Sequence, residues 1–346
     1  MKQVKSLIIL MFFIFLCGCT RGGIGDKIIV KAILLDKSTE YTVRLLVIKA
    51  TPSADAGNAE ESTELLEGSG ANLFEAFQQA ETSYTGDVFY GQNELLLIGP
   101  NLQQGDLFSS CRYLAKNSSG RPNMAIYGID LTANQIEEFV KNGDVFLNHI
   151  DQISQQNWYK TFLYQMTNKE ENGILPLLHY DSEGSIQQTG LKIYEQGKPI
   201  AQWNDTKESL ATLLNAQAGN FQTVQLDLPT DSIVLDLRTP KVFYQCKQQG
   251  TTLVLQIRLI GHIQNIFGEN GLFSQDEKKE ILDQINQCIN TIADEMIPIA
   301  FTPNVDLFSF QSWFFNQNQR ITEQMKQSHA LYQADAIEFS SELTIV

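Results

Sequence analysis

The chain has 346 residues, of which 43% are hydrophobic and 19% are charged, and its formal net charge at pH 7 is −15. This hydrophobic fraction excludes global disorder, and the length suffices for two or three domains with cores of their own. The acidic balance argues against nucleic-acid binding, which needs a basic surface, and the five cysteines are too few for a disulfide scaffold.

The first nineteen residues have the pattern of a secretory signal. Lys2 and Lys5 precede an apolar stretch of about ten residues that ends at Leu16, roughly half the length of a membrane-spanning helix. The sequence Leu-Cys-Gly-Cys at 16–19 resembles the lipobox of bacterial lipoproteins, in which the last Cys is lipidated and becomes the mature N-terminus. We therefore expect a signal peptide at 1–18 and a lipid on Cys19. The alternative is an ordinary cleaved signal with a Cys there by chance.

Residues 19–25 are expected to be a Gly-rich tether, and residues 26–170 an N-terminal α/β domain in which strands and helices alternate. The polar, acidic stretch 50–70 is expected to be a loop interrupted by a short strand at 64–68. Asn72 is the expected N-cap of the first helix. The other expected strands lie at 28–35, 41–48, 88–90, 94–98 and 125–129, and the expected helices lie at 73–82, 107–116 and 132–141.

The rest of the chain predicts a middle domain at 171–230 and a C-terminal α+β domain at 231–346. The expected strands lie at 188–194, 199–203, 223–228, 233–237, 241–248, 251–262 and 336–345, and the expected helices lie at 207–215, 276–296 and 318–328. Ser274 and Glu277 have the spacing of a capping box for the longest helix. The fold class is therefore mixed, α+β with α/β character, in three domains whose mixed sheets are flanked by helices.

The sequence holds no recognised catalytic motif: no pair of histidines at ligand spacing, no phosphate-binding glycine loop and no nucleophile elbow. We expect no catalytic residue, no metal ligand and no cofactor. Cys111, Cys246 and Cys288 lie among apolar neighbours, which predicts buried free thiols. The aromatic residues near 308–315 are expected to form the core of the last domain.

Eight short segments, in order along the chain, resemble the spore germination receptor C-subunit family, the Ger(x)C lipoproteins. Gln92 and Asn93 stand where that family usually has a His. Gly91 and Gly99 close consecutive strands, and we therefore expect structural turns at both glycines. Together with the lipobox, the resemblance covers the whole chain. The segments are 70–77, 89–92, 95–99, 121–123, 173–176, 190–194, 197–199 and 306–310.

The resemblance implies a non-catalytic, lipid-anchored subunit of a nutrient germinant receptor, required for spore germination. Its implied location is the outer face of the cell membrane, which in a spore is the inner membrane. Its implied partners are a transporter-like membrane subunit, a second multi-spanning subunit and the lipid bilayer, with no nucleic acid. The alternative is a substrate-binding lipoprotein of a transporter, which requires two similar lobes around a polar cleft.

Overall fold

A central group of parallel strands, extended on each side by antiparallel strands, forms the first of two sheets. The computed structural model describes residues 27–52, 59–117, 119–131, 135, 153, 156, 158–181, 185–215, 221–228, 232–268 and 271–346. The strands of the first sheet are β1 (Lys27–Lys37), β2 (Tyr41–Pro52), β3 (Ala59–Gly70), β4 (Asp87–Phe89), β5 (Leu95–Ile98), β6 (Ala125–Ile129), β7 (Thr161–Phe162), β8 (Gly173–Tyr180), β9 (Ile186–Glu195) and β10 (Lys198–Trp203).

The strand order along this sheet is β10-β9-β8-β6-β5-β1-β2-β3, with β4 beside β1 and β7 beside β6. Strands β1, β5, β6 and β8 run parallel, whereas β2 and β3 on one side and β9 and β10 on the other are antiparallel. All four residues of β5 are buried, as expected for a central strand of a sheet that is covered on both faces.

Two helices cover one face of the first sheet: α1 (Leu73–Thr82) and α2 (Leu107–Lys116). The Asn72 side chain accepts a hydrogen bond from the Glu75 amide at 3.0 Å, which confirms the predicted N-cap. Helix α1 packs closely on β3, because Gly68 lets the helix backbone approach. A second cluster of buried apolar side chains, including Tyr127 and Ile153, lies on the other face.

The second sheet is mainly antiparallel, in the order β11-β12-β13-β14, and its last strand, β15, pairs in parallel with β13. Three helices accompany it. Its strands are β11 (Phe221–Asp227), β12 (Ser232–Gln249), β13 (Thr252–Gly268), β14 (Gly271–Leu272) and β15 (Ile337–Ile345), and the helices are α3 (Asp205–Leu214), α4 (Gln275–Ala300) and α5 (Phe310–Gln327).

The start of α4 has the predicted capping box. The Glu277 amide donates to Ser274 Oγ at 3.4 Å, and the Ser274 amide donates to the Glu277 carboxylate at 2.8 Å. The predicted aromatic core is also present, since Phe310 and Phe314 are fully buried and Phe301 stacks on Phe314. The mixed α+β fold with helix-flanked sheets is therefore confirmed.

Helix α4 covers the outer edge of β15. Asn290 Oδ1 accepts a hydrogen bond from the Ser341 amide at 2.7 Å, and Asn286 Oδ1 accepts one from the Leu343 amide at 3.0 Å. An exposed strand edge presents unpaired backbone groups that can pair with another chain. These two asparagines satisfy two of those groups from within the molecule.

The two sheets share one hydrophobic core. Trp203, the last residue of β10 in the first sheet, is 1% exposed and stacks on Phe308 at 6.3 Å between ring centroids. Leu191 of β9 belongs to the same cluster as the strands and helices of the second sheet. The first sheet therefore contributes its edge to the core of the second.

Several predicted elements differ from the structure. The expected loop at 50–70 is largely strand, since β2 extends to Pro52 and β3 spans Ala59–Gly70, and β8 was not predicted. The strands expected at 233–237 and 241–248 form one irregular strand, β12, and the aromatic segment joins the helix expected at 318–328 within α5. Helix α5 is kinked at Asn318, whose side chain accepts a hydrogen bond from the Ile321 amide.

Among its described residues, the predicted middle domain at 171–230 has no sheet of its own, because β8, β9 and β10 extend the first sheet and β11 belongs to the second. The boundaries 26–170, 171–230 and 231–346 stay a prediction. The signal peptide at 1–18, the tether at 19–25 and most of the helix expected at 132–141 lie outside the described residues.

Candidate functional site

Cys19, the predicted lipidation site, lies outside the described residues, so its role stays a prediction. None of the helices in the described ranges combines the length and the apolar character needed to cross a membrane. Cys111 is fully buried and burial raises the pKa of its thiol to about 12. Cys246 and Cys288 are only partly buried, which corrects the expectation that all three thiols are buried.

Two of the family-like segments meet at the starts of neighbouring parallel strands. Asn93 precedes β5 and Arg121 precedes β6, and these strands pair in register from Leu95 with Ala125. The Ala125 amide donates a hydrogen bond to the Glu94 carbonyl at 3.0 Å, which links the start of β6 to the residue before β5. Between them lies a cavity of about 260 Å³, which we name the strand-start cleft; the residues that define it are Asn93, Glu94, Arg121, Tyr127, Lys160 and Phe162.

Two buried polar atoms of the strand-start cleft lack a hydrogen-bond partner among the described residues. Asn93 is 0% exposed; its Nδ2 donates to the Ser119 carbonyl at 3.1 Å, which fixes the amide orientation and leaves Oδ1 unpaired. Tyr127 is also 0% exposed, and its hydroxyl is unpaired. Burial raises the pKa of Tyr127 well above its usual value, so the hydroxyl keeps its proton at neutral pH.

The charged groups of the cleft are mainly cationic. Glu94 pairs with Lys31 at 3.4 Å. Burial lowers the pKa of Lys160 below its ordinary value. Arg121 is partly exposed, and none of the described carboxylates forms an ion pair with it. Arg121 therefore favours a negatively charged group in the cleft, although the protein as a whole is acidic.

Residues that flank several family-like segments meet where the two sheets join. The Asn172 side chain donates to the Asn304 carbonyl and accepts from the Gln196 amide at 2.8 Å, and Asn304 Nδ2 donates to Glu195 at 3.2 Å. Asp306 accepts from two backbone amides at the start of α5, and burial raises the pKa of its carboxyl group. These residues therefore position the sheets and begin a helix.

A second polar cleft, of about 400 Å³, lies beside α3. Its central side chain is Glu208, whose Oε1 accepts a hydrogen bond from Gln188 Nε2. Burial raises the pKa of Glu208 to about 7. Sequence reasoning missed this residue and also Tyr127 and Lys160, because each lies far along the chain from the residues it meets.

The described residues contain no group of three or more His, Cys, Asp or Glu side chains arranged to hold a metal ion. Of the histidines that the structure describes, His262 contacts only the Thr344 hydroxyl by hydrogen bond, at 2.8 Å. Within these ranges, the strand-start cleft is the site with buried, unpaired polar atoms beside cationic side chains.

Comparisons with known proteins found similarity to a family model and to a solved structure. Residues 24–180 match the family model of the spore germination protein N-terminal domain, which includes the strand-start cleft. Among solved structures, the chain is similar to the crystal structure of the GerBC protein, with a TM-score of 0.49, 10% sequence identity, and coverage of 91% of this chain and 96% of that chain. No curated protein matches this sequence.

Proposed function

We propose that this chain, whose residues 24–180 match the family model of the spore germination protein N-terminal domain, is a lipid-anchored, non-catalytic subunit of a nutrient germinant receptor and a member of the C-subunit family. The family domain is the observation that carries this proposal. In the proposal, the subunit is required for spore germination and lies at the outer face of the membrane, which in the spore is the inner membrane.

The proposed contribution of the subunit is binding surface, not chemistry. Its proposed partners are a transporter-like membrane subunit and a second multi-spanning subunit. A lipid on Cys19 would hold the folded part beside these partners at an effective concentration in the millimolar range, so that weak interfaces suffice. Binding energy at such an interface is concentrated in a few aromatic or aliphatic side chains, while the acidic surface governs encounter rates.

A substrate-binding lipoprotein of a transporter remains the alternative function. Such a protein closes two similar lobes around its ligand. Here the first sheet has a parallel centre with antiparallel flanks, whereas the second is mainly antiparallel, and the strand-start cleft lies within the first sheet. The two halves are therefore dissimilar, which favours the receptor subunit.

The anchor is tested with Cys19→Ala and its matched control Cys17→Ala. We expect Cys19→Ala to leave the protein unprocessed or released from membranes, because the thiol at the lipidated position is lost. Cys17→Ala should fractionate like the wild type, since Ala is an ordinary residue at that lipobox position. The measurement is membrane fractionation with detection of acyl incorporation.

The same strains test the role in germination. Deletion of the gene should abolish germination in response to nutrients and leave intact the response to triggers that bypass the receptors. Cys19→Ala should reduce the nutrient response, and Cys17→Ala should not. A normal nutrient response in the deletion strain, or membrane association of Cys19→Ala equal to that of the wild type, would contradict the proposal.

A further inference from the structure

The strand-start cleft contains two polar groups that a folded protein rarely leaves unpaired. The Asn93 Oδ1 atom and the Tyr127 hydroxyl are both buried and without a partner among the described residues. Since most buried polar groups in native proteins form hydrogen bonds, each unpaired one needs an explanation. Both residues border the same cavity. A ligand that donates a hydrogen bond there would satisfy the acceptor on Asn93.

The mouth of the cleft supplies the complementary charge. The Arg121 guanidinium lines the cleft with its planar set of N–H donors and has no carboxylate partner among the described residues. A guanidinium binds a carboxylate through two parallel hydrogen bonds, which fixes orientation as well as charge. The acidic side chain in the cleft, Glu94, is already paired with Lys31.

The remaining walls are apolar and the space is small. Leu95 and Ala125 begin the paired strands, and Ile153 and Phe162 complete the walls. A cavity of about 260 Å³ is smaller than the ~300–1,000 Å³ that is usual for drug-sized ligands. The occupant is therefore the size of one side chain or of a short-chain metabolite.

We propose that the strand-start cleft binds a carboxylate on a short apolar stem, with the carboxylate on Arg121 and a hydrogen-bond donor at the far end on Asn93. The Tyr127 hydroxyl completes the hydrogen bonding of that far end. This chemistry has two sources, a free small carboxylate or an acidic side chain of a partner subunit. The second source rests on the proposed function, whereas the first does not.

The free ligand is tested on the full chain, purified in detergent, with three probes of equal stem length. 4-Aminobutyrate carries both the carboxylate and the donor, butyrate carries only the carboxylate, and n-butylamine carries only the amine. We expect 4-aminobutyrate to raise the melting temperature most, butyrate to raise it less, and n-butylamine to leave it unchanged. Binding of a ligand to the folded state alone stabilises it by mass action.

Three variants test whether the residues of the strand-start cleft cause the rise in melting temperature. Arg121→Gln should weaken 4-aminobutyrate binding by about tenfold or more, because the charged bidentate contact is lost. Tyr127→Phe conserves the shape of the buried ring and should narrow the difference between 4-aminobutyrate and butyrate. Arg238→Gln removes an exposed arginine of the second sheet and should respond like the wild type.

The partner source is tested in membranes that contain the assembled receptor. A photo-crosslinking residue at Asn123, which is exposed at the rim of the cleft, should join a peptide of a membrane subunit beside an Asp or Glu. Arg121→Gln should abolish that crosslink, and Arg238→Gln should retain it. Either this result or the Arg121-dependent response to 4-aminobutyrate supports the proposal and identifies the source.

The proposal is overturned if no carboxylate shifts the melting temperature and no crosslink depends on Arg121. It is also overturned if n-butylamine raises the melting temperature as much as 4-aminobutyrate does, or if 4-aminobutyrate raises the melting temperature of Arg121→Gln as much as that of the wild type. Failure of the proposed function is a separate result: a deletion strain that germinates normally, together with an Arg121-dependent response to 4-aminobutyrate, would refute the receptor role and retain the cleft.

Discussion

The close contact between α1 and β3 depends on Gly68, and Gly68→Ala tests it. A Cβ atom at this position would lie 2.3 Å from both the Ala76 carbonyl oxygen and the Ala80 amide nitrogen. Both are backbone atoms of α1, so no side-chain rotation can relieve the clash. Ordinary contacts are about 1 Å or more longer, and the helix must therefore move away from the sheet.

The expected cost follows from what that displacement disturbs. Helix α1 buries Leu73, Ala76, Phe77 and Ala80 against the first sheet, and overpacking in such a core costs about 1–3 kcal/mol. The lower entropy of the unfolded chain with Ala offsets about 0.4–1 kcal/mol. We expect Gly68→Ala to lower the free energy of unfolding by about 1–2 kcal/mol, which corresponds to a few degrees in melting temperature.

The matched control is Gly261→Ala in β13. A Cβ atom there would meet its nearest neighbours, Leu343 and Pro240, at 3.4 Å, which is ordinary contact. Gly261→Ala should therefore be neutral or slightly stabilising. Thermal and urea unfolding of the purified chain compare the two variants with the wild type. Equal stability of Gly68→Ala and Gly261→Ala would refute the argument that helix and strand are in closest contact at Gly68.

Two further predictions concern the second half of the chain. Asn290→Ala should cost about 1–2 kcal/mol and speed hydrogen exchange at the Ser341 amide, because that amide loses its acceptor; unchanged exchange would contradict the edge-capping role. The pKa of Glu208 is raised to about 7 from 4.5, so the folded state holds the proton more tightly and the wild type loses stability as pH rises through this interval. Glu208→Gln should remove that loss and be more stable than the wild type at pH 8, on the order of 2 kcal/mol, with little difference at pH 4; a pH-independent difference in urea unfolding would contradict it.

The elements that sequence predicted well are those with short-range causes. In the caps at Asn72 and Ser274, a side chain contacts a backbone amide three residues along the chain. Both partners therefore lie within one short stretch of sequence, where the pattern is recognisable. The buried run of β5 is similarly local, because its own four residues show that both faces are covered.

The elements that sequence missed depend on distant partners. Strand β3 is acidic and Ser-rich, which suggests a loop, yet it pairs with β2 along its whole described length as an edge strand. Strand β8 contains Pro176, which argues against a central strand. The structure accommodates it because β6 pairs only with Leu177 and Leu178, beyond the proline.

The candidate site was predictable only in part. Arg121 lies in a segment that resembles the family, and Asn93 stands where the family usually has a His, but nothing in the sequence indicates that they border one cavity. Tyr127 points into that cavity because it lies on β6, and Lys160 reaches it from a separate segment. The sequence predicts structural turns at Gly91 and Gly99. A Cβ at Gly99 would meet the Asp36 side chain, and neither glycine has a positive φ, so close approach alone explains them.

Trp203 gives the molecule an internal optical reporter of how its halves fit together. The chain has three tryptophans, and this one belongs by backbone to the first sheet and by packing to the core of the second. Trp158 is partly exposed and Trp313 is 40% exposed. With those two replaced by Phe, the emission of Trp203 would be blue-shifted while the sheets are docked and would move to the red if they parted. Fluorescence could then follow the docking of the two sheets in the full chain without an attached label.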